Sequence, residues 1–183
     1  MVLNDKSIIK YIEKKEIYIQ PFSLEYVRPS SYCMTLNKEI FIFEKTDNCI
    51  KLFDEKSYPK YKIVVISKSN PYILSPGEFI LASTNEYIGL SNKFTGFLSN
   101  ISGLARLGLN VLLSTHIASG FGFTKKKQII LEMHNNSNCD IEIIPDIRIC
   151  HLVFVQNISK STKGYDHLYP EKYIDNKLSE YYK

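Results

Sequence analysis

The feature that most constrains the fold is a change of hydrophobic period near residue 16. Three isoleucines between residues 8 and 12 recur at helical spacing behind Asn4 or Asp5, and either of these residues can cap a helix. From Ile17 onward, apolar and polar residues alternate, which is typical of half-buried strands. The sequence therefore predicts one short N-terminal helix followed by a β domain.

Strand-like segments recur along the rest of the chain and are separated by turn residues such as Ser75-Pro76-Gly77. A second short helix is predicted at 102–107. Many short strands with so little helix indicate a mainly β fold, either a distorted β-barrel or a jelly roll. Residues 165–183 have no strand period and predict a tail that becomes ordered on contact with something else. The strand-like segments are 62–67, 79–84, 95–98, 128–134, 140–144 and 150–156.

Charge and apolar run length limit the partners. The 183 residues carry a net charge of +4, and the positive residues are spread out apart from the run Lys125 to Lys127. A nucleic-acid binder usually concentrates its positive charge on one face, so no nucleic-acid partner is expected. Every apolar run is far shorter than the roughly 20 residues that span a bilayer. The four cysteines lack CxxC spacing and the N-terminal residues are polar, so we expect a reduced, cytoplasmic protein without a membrane partner.

Several enzyme classes lack their sequence motifs in this chain. There is no GxxxxGK[ST] phosphate loop and no GxGxxG motif at a strand-to-helix junction. The zinc deaminases need HxE followed by PCxxC, which the four histidines and four cysteines do not form, so no zinc is expected. No GxSxG motif supports a serine hydrolase.

The segment from Ser102 to Leu109 carries the first pattern with chemical content. A short helical turn there places Ser102 at its start and Arg106 one turn later on the same face. A hydroxyl, free backbone N–H groups and a guanidinium together form an anion site. The same pattern also fits an ordinary helix with an arginine on its surface.

Glu132 is the second candidate because it lies within the apolar strand 128–134. With a period of two, it shares a face with Ile130 and His134. It is therefore either a solvent-facing residue or a carboxylate partly withdrawn from water. In the second case its pKa rises toward the range that suits a general base.

An ordered set of short motifs resembles the dCTP deaminase branch of the dUTPase superfamily over nearly the whole chain. The resemblance implies a dUTPase-like (β-clip) domain at residues 1–158 and a tail at 159–183 that closes over the nucleotide. The motifs are Leu3-Asn4-Asp5-Lys6, Ile19-Gln20-Pro21-Phe22, Pro29-Ser30-Ser31-Tyr32, the segment 75–84 with Glu86-Tyr87, the segment 102–109, Ile130-Leu131-Glu132 with Asn135, and Gly164-Tyr165 with Lys172-Tyr173.

The family deaminates dCTP to dUTP and ammonia without a catalytic metal, and Mg²⁺ accompanies the triphosphate. It forms homotrimers with three active sites at subunit interfaces. The resemblance makes Glu132 the general base for the water that attacks C4 of cytosine. It makes Ser102 and Arg106 the residues that position phosphate oxygens and support this water.

Further residues are expected to bind the nucleotide. The resemblance assigns Tyr165, Lys172 and Asn176 to the closing tail, with Asn176 where the family often has Gln. His116 is expected beside the base pocket, although a packed or hydrogen-bonded structural histidine is an equal alternative. Water exclusion by the tail would strengthen the charged contacts inside.

The chain departs from the family pattern at four positions. Ile101 replaces the first Arg of the family's RSSLAR motif, and Gly103 replaces its second Ser. Losing a charge-assisted phosphate contact costs on the order of 1.5–3 kcal/mol unless a neighbour such as one of Lys125 to Lys127 substitutes. Cys33 replaces an Asp. Ser119 falls near the Asp that dUTP-hydrolysing relatives use, which argues against dUTP hydrolysis.

Two alternatives to dCTP deamination to dUTP remain open. One is a related nucleotide enzyme, either a deaminase that also hydrolyses dUTP or one that acts on another cytosine nucleotide. The other is a catalytically silent nucleotide-binding protein that keeps the trimer and its pocket.

Overall fold

A computed structural model describes residues 1–47 and 49–169, except for the side chain of Glu55. Within these residues the helices are α1 (Asp5–Glu13), α2 (Ser102–Arg106) and α3 (Tyr165–Leu168), with 3-10 turns at Leu24–Tyr26 and Glu55–Ser57. The strands are β1 (Ile17–Gln20), β2 (Val27–Arg28), β3 (Ser31–Phe43), β4 (Tyr61–Val65), β5 (Tyr72–Leu74), β6 (Phe79–Leu90), β7 (Phe94–Asn100), β8 (Leu109–Asn110), β9 (His116–Ile117), β10 (Lys127–Asn135), β11 (Ile141–Ile143) and β12 (Arg148–Gln156).

The predicted N-terminal helix is confirmed as α1. The side chain of Asn4 accepts a hydrogen bond from the backbone N–H of Ser7 at 2.9 Å, which caps the first turn. Ile8 is fully buried while the lysines of the helix face solvent. The helix ends at Lys14, and Lys15 takes a positive φ of 57° that redirects the chain into β1.

The strands form one curled antiparallel sheet of ten strands, with β5 and β11 in a separate pair. The strand order is β8-β10-β6-β3-β12-β7-β9, while β1 joins β6 and both β2 and β4 join β3. The long strand β3 pairs with β12 in its first part and with β6 and β4 in its second, so it joins the two halves of the sheet. This half-barrel confirms the expected mainly β fold, with α3 as a helix that was not expected.

The core lies inside the curl of the sheet. Along β10, buried and half-buried residues alternate, so one face of the strand packs in the core and the other faces away from it. Leu131 and Met133 are fully buried, whereas Ile130 and Glu132, which alternate with them, are only half-buried. In the adjacent strand, Leu81 is the register partner of Glu132. Glu132 therefore projects from a strand whose other face is anchored in the core. In the part of the chain that is described, no helix is both long and apolar enough to cross a membrane.

Candidate active site

A cleft of about 210 Å³ opens beside β9 and β10. Its polar walls combine a carboxylate, an imidazole, an amide, a phenol and a hydroxyl with several apolar side chains. Such a mixture of apolar walls and a few polar groups is typical of small-molecule sites. The lining residues are Leu98, Ser114, His116, Ile117, Ala118, Phe121, Gln128, Ile129, Ile130, Glu132 and Tyr165.

Glu132 faces this cleft and is held by backbone donors. One of its carboxylate oxygens, Oε2, accepts hydrogen bonds from the N–H of Leu113 at 3.2 Å and of Ser114 at 3.1 Å. Hydrogen bonds to an ionised acceptor are stronger than those between neutral groups. Glu132 is half-buried and so partly withdrawn from water, and its other oxygen makes no hydrogen bond with the described residues.

Two asparagines hold the loop that supplies these donors. The Asn100 amide donates to Oδ1 of Asn110 at 3.0 Å, and its own Oδ1 accepts from Val111 N–H at 3.1 Å. Oδ1 of Asn110 also accepts from Leu112 N–H at 3.1 Å. Because these bonds fix the residues directly before the donors, they set where the two N–H groups meet Glu132. No sequence pattern marks these backbone contacts.

Ser102 and Arg106 lie on α2, and both are exposed. Neither lines the cleft that holds Glu132. Ile101 occupies the N-cap position without a side-chain cap. The helix ends at Arg106, and Gly108 beyond it has a φ of 88° and a backbone so close to Ser137 that a Cβ there would lie 2.6 Å from Cβ of Ser137. The structure thus does not bring the two α2 residues to Glu132 within one chain.

His116 and Tyr165 both line the cleft with Glu132. The imidazole of His116 is tilted against the ring of Phe97, with centroids 5.6 Å apart. The ring of Tyr165 packs against Phe121 at 5.7 Å. Both predicted binding residues are thus close to Glu132, and which role His116 has stays a prediction.

Two polar cleft residues were missed by the sequence analysis. Gln128 shares the alternating face of Ile130 and Glu132, so the strand period was a sufficient signal for it. Its amide donates to the carbonyl of Thr84 at 2.8 Å. Ser114 lies in a loop, where no period indicates its direction.

Lys127 and Asp166 form an ion pair that sequence reasoning also missed. Nζ of Lys127 lies 2.9 Å from Oδ1 of Asp166, and the two side chains are 10% and 7% exposed. Lys126 lies over the ring of Tyr18 at 4.8 Å and donates to the carbonyl of Phe123. These contacts argue against the hypothesis that either lysine replaces the arginine missing at the start of α2.

The other departures occupy structural positions. Oγ of Ser119 lies 3.0 Å from Oγ1 of Thr95 and accepts from the Asn157 amide at 2.8 Å. Cys33 is buried in β3, and this burial raises the pKa of its thiol. Neither side chain lines the cleft.

Two predicted binding residues, Lys172 and Asn176, lie outside the described residues, and so does most of the predicted tail. The proposed boundary at residue 158 stays a prediction. Among residues 1–47 and 49–169, no group of three or more His, Cys, Asp or Glu side chains is placed to hold a metal ion.

Several known proteins are similar to this chain. Residues 2–157 match the family model described as dCTP deaminase-like. A Hydrogenobaculum protein named dCTP deaminase, dUMP-forming, is 36% identical over 156 residues, which cover 85% of this chain and 82% of that protein. A Nanoarchaeum equitans protein of the same name is 36% identical over 169 residues, covering 83% of this chain and 82% of its own length.

A solved structure supports the fold. The crystal structure of 2'-deoxycytidine 5'-triphosphate deaminase from Agrobacterium tumefaciens superposes with a TM-score of 0.65 at 14% identity. The match covers 85% of this chain and 48% of that one. With the family model spanning most of the residues and relatives above 30% identity, the chain belongs to the dCTP deaminase-like family.

Proposed function

We propose that this protein hydrolytically deaminates the cytosine of dCTP. The observation that carries the proposal is the position of Glu132, half-buried in a cleft and fixed by two backbone N–H groups. A general base must be held where it can reach the proton that it removes. The names of the relatives support the choice of dCTP as the substrate.

In the proposed mechanism Glu132 takes a proton from the water that attacks C4 of cytosine. The carboxyl group passes this proton to N3, then removes the hydroxyl proton of the tetrahedral intermediate at C4 and donates it to the exocyclic nitrogen. The C4–N bond breaks, ammonia leaves and a uracil ring remains. Two backbone donors on one oxygen leave the other oxygen for this proton transfer. We place the cytosine ring beside His116 and Tyr165, which line the same cleft as Glu132.

The remaining proposed contacts come from outside this wall. Ser102 and Arg106 hold phosphate oxygens and support the attacking water, and Lys172 and Asn176 complete the nucleotide site. Because α2 does not line the cleft of its own chain, a second copy has to supply it. The position of α2 supports sites that are shared between copies, which we propose are arranged in a homotrimer.

We propose that Mg²⁺ enters with the triphosphate and that no zinc takes part. The described histidines, cysteines and carboxylates form no group of three or more that could hold a metal ion. Mg²⁺ prefers to be bound by substrate phosphates together with one or two carboxylates. The ion then offsets phosphate charge in a site that lacks an arginine at position 101.

The end product is proposed to be dUMP. The family resemblance alone implied dUTP as the product, but the relatives carry the words dUMP-forming in their names. Formation of dUMP requires a second water to release diphosphate. Glu132 is the one carboxylate among the residues that line the described cleft, so this second step depends on groups from elsewhere in the trimer.

The test is an assay with purified protein, dCTP and Mg²⁺ that follows ammonia, dUTP, dUMP and diphosphate. We expect ammonia, dUMP and diphosphate in equal amounts. Replacement of Glu132 by Gln is expected to slow ammonia release by about 10²–10⁴-fold. Unchanged activity in that variant would refute the mechanism, and accumulation of dUTP would refute the product. Saturable binding of nucleotide without turnover of dCTP, dCMP or CMP would identify a silent binding protein instead.

A further inference from the structure

Helix α3, which follows the β domain, is bound to it through the buried carboxylate of Asp166. Both oxygens of Asp166 accept two hydrogen bonds each. Oδ1 accepts from Gly122 N–H at 3.1 Å and from Lys127 Nζ at 2.9 Å. Oδ2 accepts from the N–H of Thr124 at 3.1 Å and from its hydroxyl at 2.7 Å. Asp166 therefore joins α3 to the loop before β10 and to the first residue of β10.

The environment of Asp166 favours its charged form. Burial alone would raise the pKa of this carboxyl, but hydrogen bonds from Lys127 and Thr124 outweigh it and hold the pKa below its ordinary value. A buried charge is stable only when it is paired and its hydrogen bonds are satisfied. All four hydrogen bonds to the carboxylate come from residues 122–127, so the ion pair is part of a buried hydrogen-bond network and not an isolated surface contact.

Backbone contacts connect the same two segments, the start of α3 and the loop before β10. Tyr165 N–H donates to the carbonyl of Ser119 at 2.8 Å. Gly120 has a φ of 80°, and a Cβ there would lie 2.5 Å from Cα of Gly164. Only glycine allows the two chain segments to approach this closely. The start of the C-terminal segment and the loop 118–124 thus pack as one unit.

This unit fixes one wall of the cleft. Asp166 does not line the cleft, but its neighbour Tyr165 does, and so does Phe121. Nζ of Lys127 lies 5.7 Å from the ring centroid of Tyr165 and 5.7 Å from that of Phe121. The cation that pairs with Asp166 is thereby in contact range of both aromatic rings on the cleft side.

From this geometry we infer that the Lys127–Asp166 pair is a positioning device that presets Tyr165 on the cleft wall before the nucleotide binds. The inference rests on the proposed function and assigns these two residues a role in substrate affinity. A wall that is already ordered spares the nucleotide the entropic cost of ordering it. The pair itself touches no reacting atom, so it acts through Tyr165.

Steady-state kinetics of the full-length protein test the role. The double variant Lys127→Met with Asp166→Asn removes both charges and leaves no unpaired buried ion. We expect its KM for dCTP to rise about tenfold while kcat stays within about twofold. Lys127→Arg keeps the charge and should retain a KM near that of the unmodified protein. Asp140→Asn, at an exposed aspartate, is the matched control and should change neither constant.

A spectroscopic measurement tests the same inference without turnover. The chain contains no tryptophan, so Tyr165→Trp gives a single tryptophan at the wall, which is excited selectively at the red edge where the tyrosines do not absorb. With the pair intact, we expect high anisotropy without nucleotide, and with the pair removed, low anisotropy that dCTP restores. Equal anisotropy in both backgrounds would overturn the inference, as would an unchanged KM in an active double variant. Absence of turnover in the unmodified protein would refute the proposed function alone, because the anisotropy comparison still decides the role of the pair.

Discussion

The cleft wall around Glu132 and the helix α2 differ in how much of their own chain supports them. Glu132 is half-buried, accepts two backbone hydrogen bonds and stands on a strand anchored in the core. Arg106 and Ser102 are exposed, on a helix of five residues whose N-cap has no side-chain hydrogen bond. Under the proposed function, the chain supports the Glu132 side of the site from within itself and presents the α2 side outward.

The largest expected effect tests whether the two halves meet between copies. Glu132→Gln and Arg106→Ala are each expected to be severely impaired when alone, the second by about 10–150-fold for loss of a charge-assisted contact. When the two variants are co-expressed and assemble at random, roughly a quarter of shared sites contain both intact residues. We therefore expect deamination to return in the mixture, measured as ammonia released per protomer.

The control for this mixture is Arg106→Ala co-expressed with a chain that carries both substitutions. No site then contains an intact arginine, and activity should stay low. If the first mixture were as inactive as this control, each site would be formed within one chain and the contrast would be wrong.

A second test adds a charge to α2. Ile101→Arg supplies a cation at the start of the helix, and we expect the KM for dCTP to fall by about tenfold through a new phosphate contact. The KM for dCMP, which has fewer phosphates, should change less. Ile158→Arg, at a fully exposed isoleucine, is the matched control. An equal change for dCTP and dCMP would contradict a role of α2 in holding the outer phosphates.

A third test loosens the Glu132 wall without touching its carboxylate. Asn110→Ala removes the acceptor for Leu112 N–H and for the Asn100 amide. We expect kcat to fall by about 5-fold with little change in KM, because the donors to Glu132 lose their support. Asn138→Ala is an exposed control. A rise in KM with constant kcat would assign Asn110 to binding instead.

The smallest expected effect on activity concerns Glu86, a buried carboxylate on β6 that does not line the cleft. Burial raises its pKa, although hydrogen bonds from Thr35 oppose the shift. The folded state therefore binds this proton more readily than the unfolded chain, whose Glu pKa is about 4.3. The contribution of Glu86 to stability is largest at low pH and is lost as pH rises through its folded pKa.

Thermal melting across weakly acidic to neutral pH checks this sign. Glu86→Gln should flatten the pH dependence of the melting temperature and leave kcat near its original value. A melting curve in which the unmodified protein loses more stability than Glu86→Gln on acidification would contradict it.

The sequence predicted the parts of this molecule that depend on local pattern. The period change at residue 16 and the alternation in 128–134 predicted α1 and β10, and the strand segments agree with β4, β6, β7, β11 and β12 to within a few residues apart from the longer β6. The alternation from Ile17 onward indicated strand structure within β3 but not its 13 continuous residues, because a strand that changes partners halfway has no single buried face.

The support of the site could not be read from the sequence. Every residue except proline has a backbone N–H, so nothing in the sequence marks Leu113 and Ser114 as the donors to Glu132. The Lys127–Asp166 pair joins residues 39 positions apart, and no local period reports such a contact. The resemblance to the family identified Glu132 and Tyr165, while the residues that hold them in place needed the structure.

The alternation of β10 also links errors in folding to loss of chemistry. A register slip of one residue would turn Glu132 into the core and expose Leu131 and Met133 to water. Such a molecule would lose its base and its hydrophobic packing together. A chain with this register slip would therefore be both inactive and less stable than the native protein. A cell that degrades unstable protein would then also remove the inactive molecules.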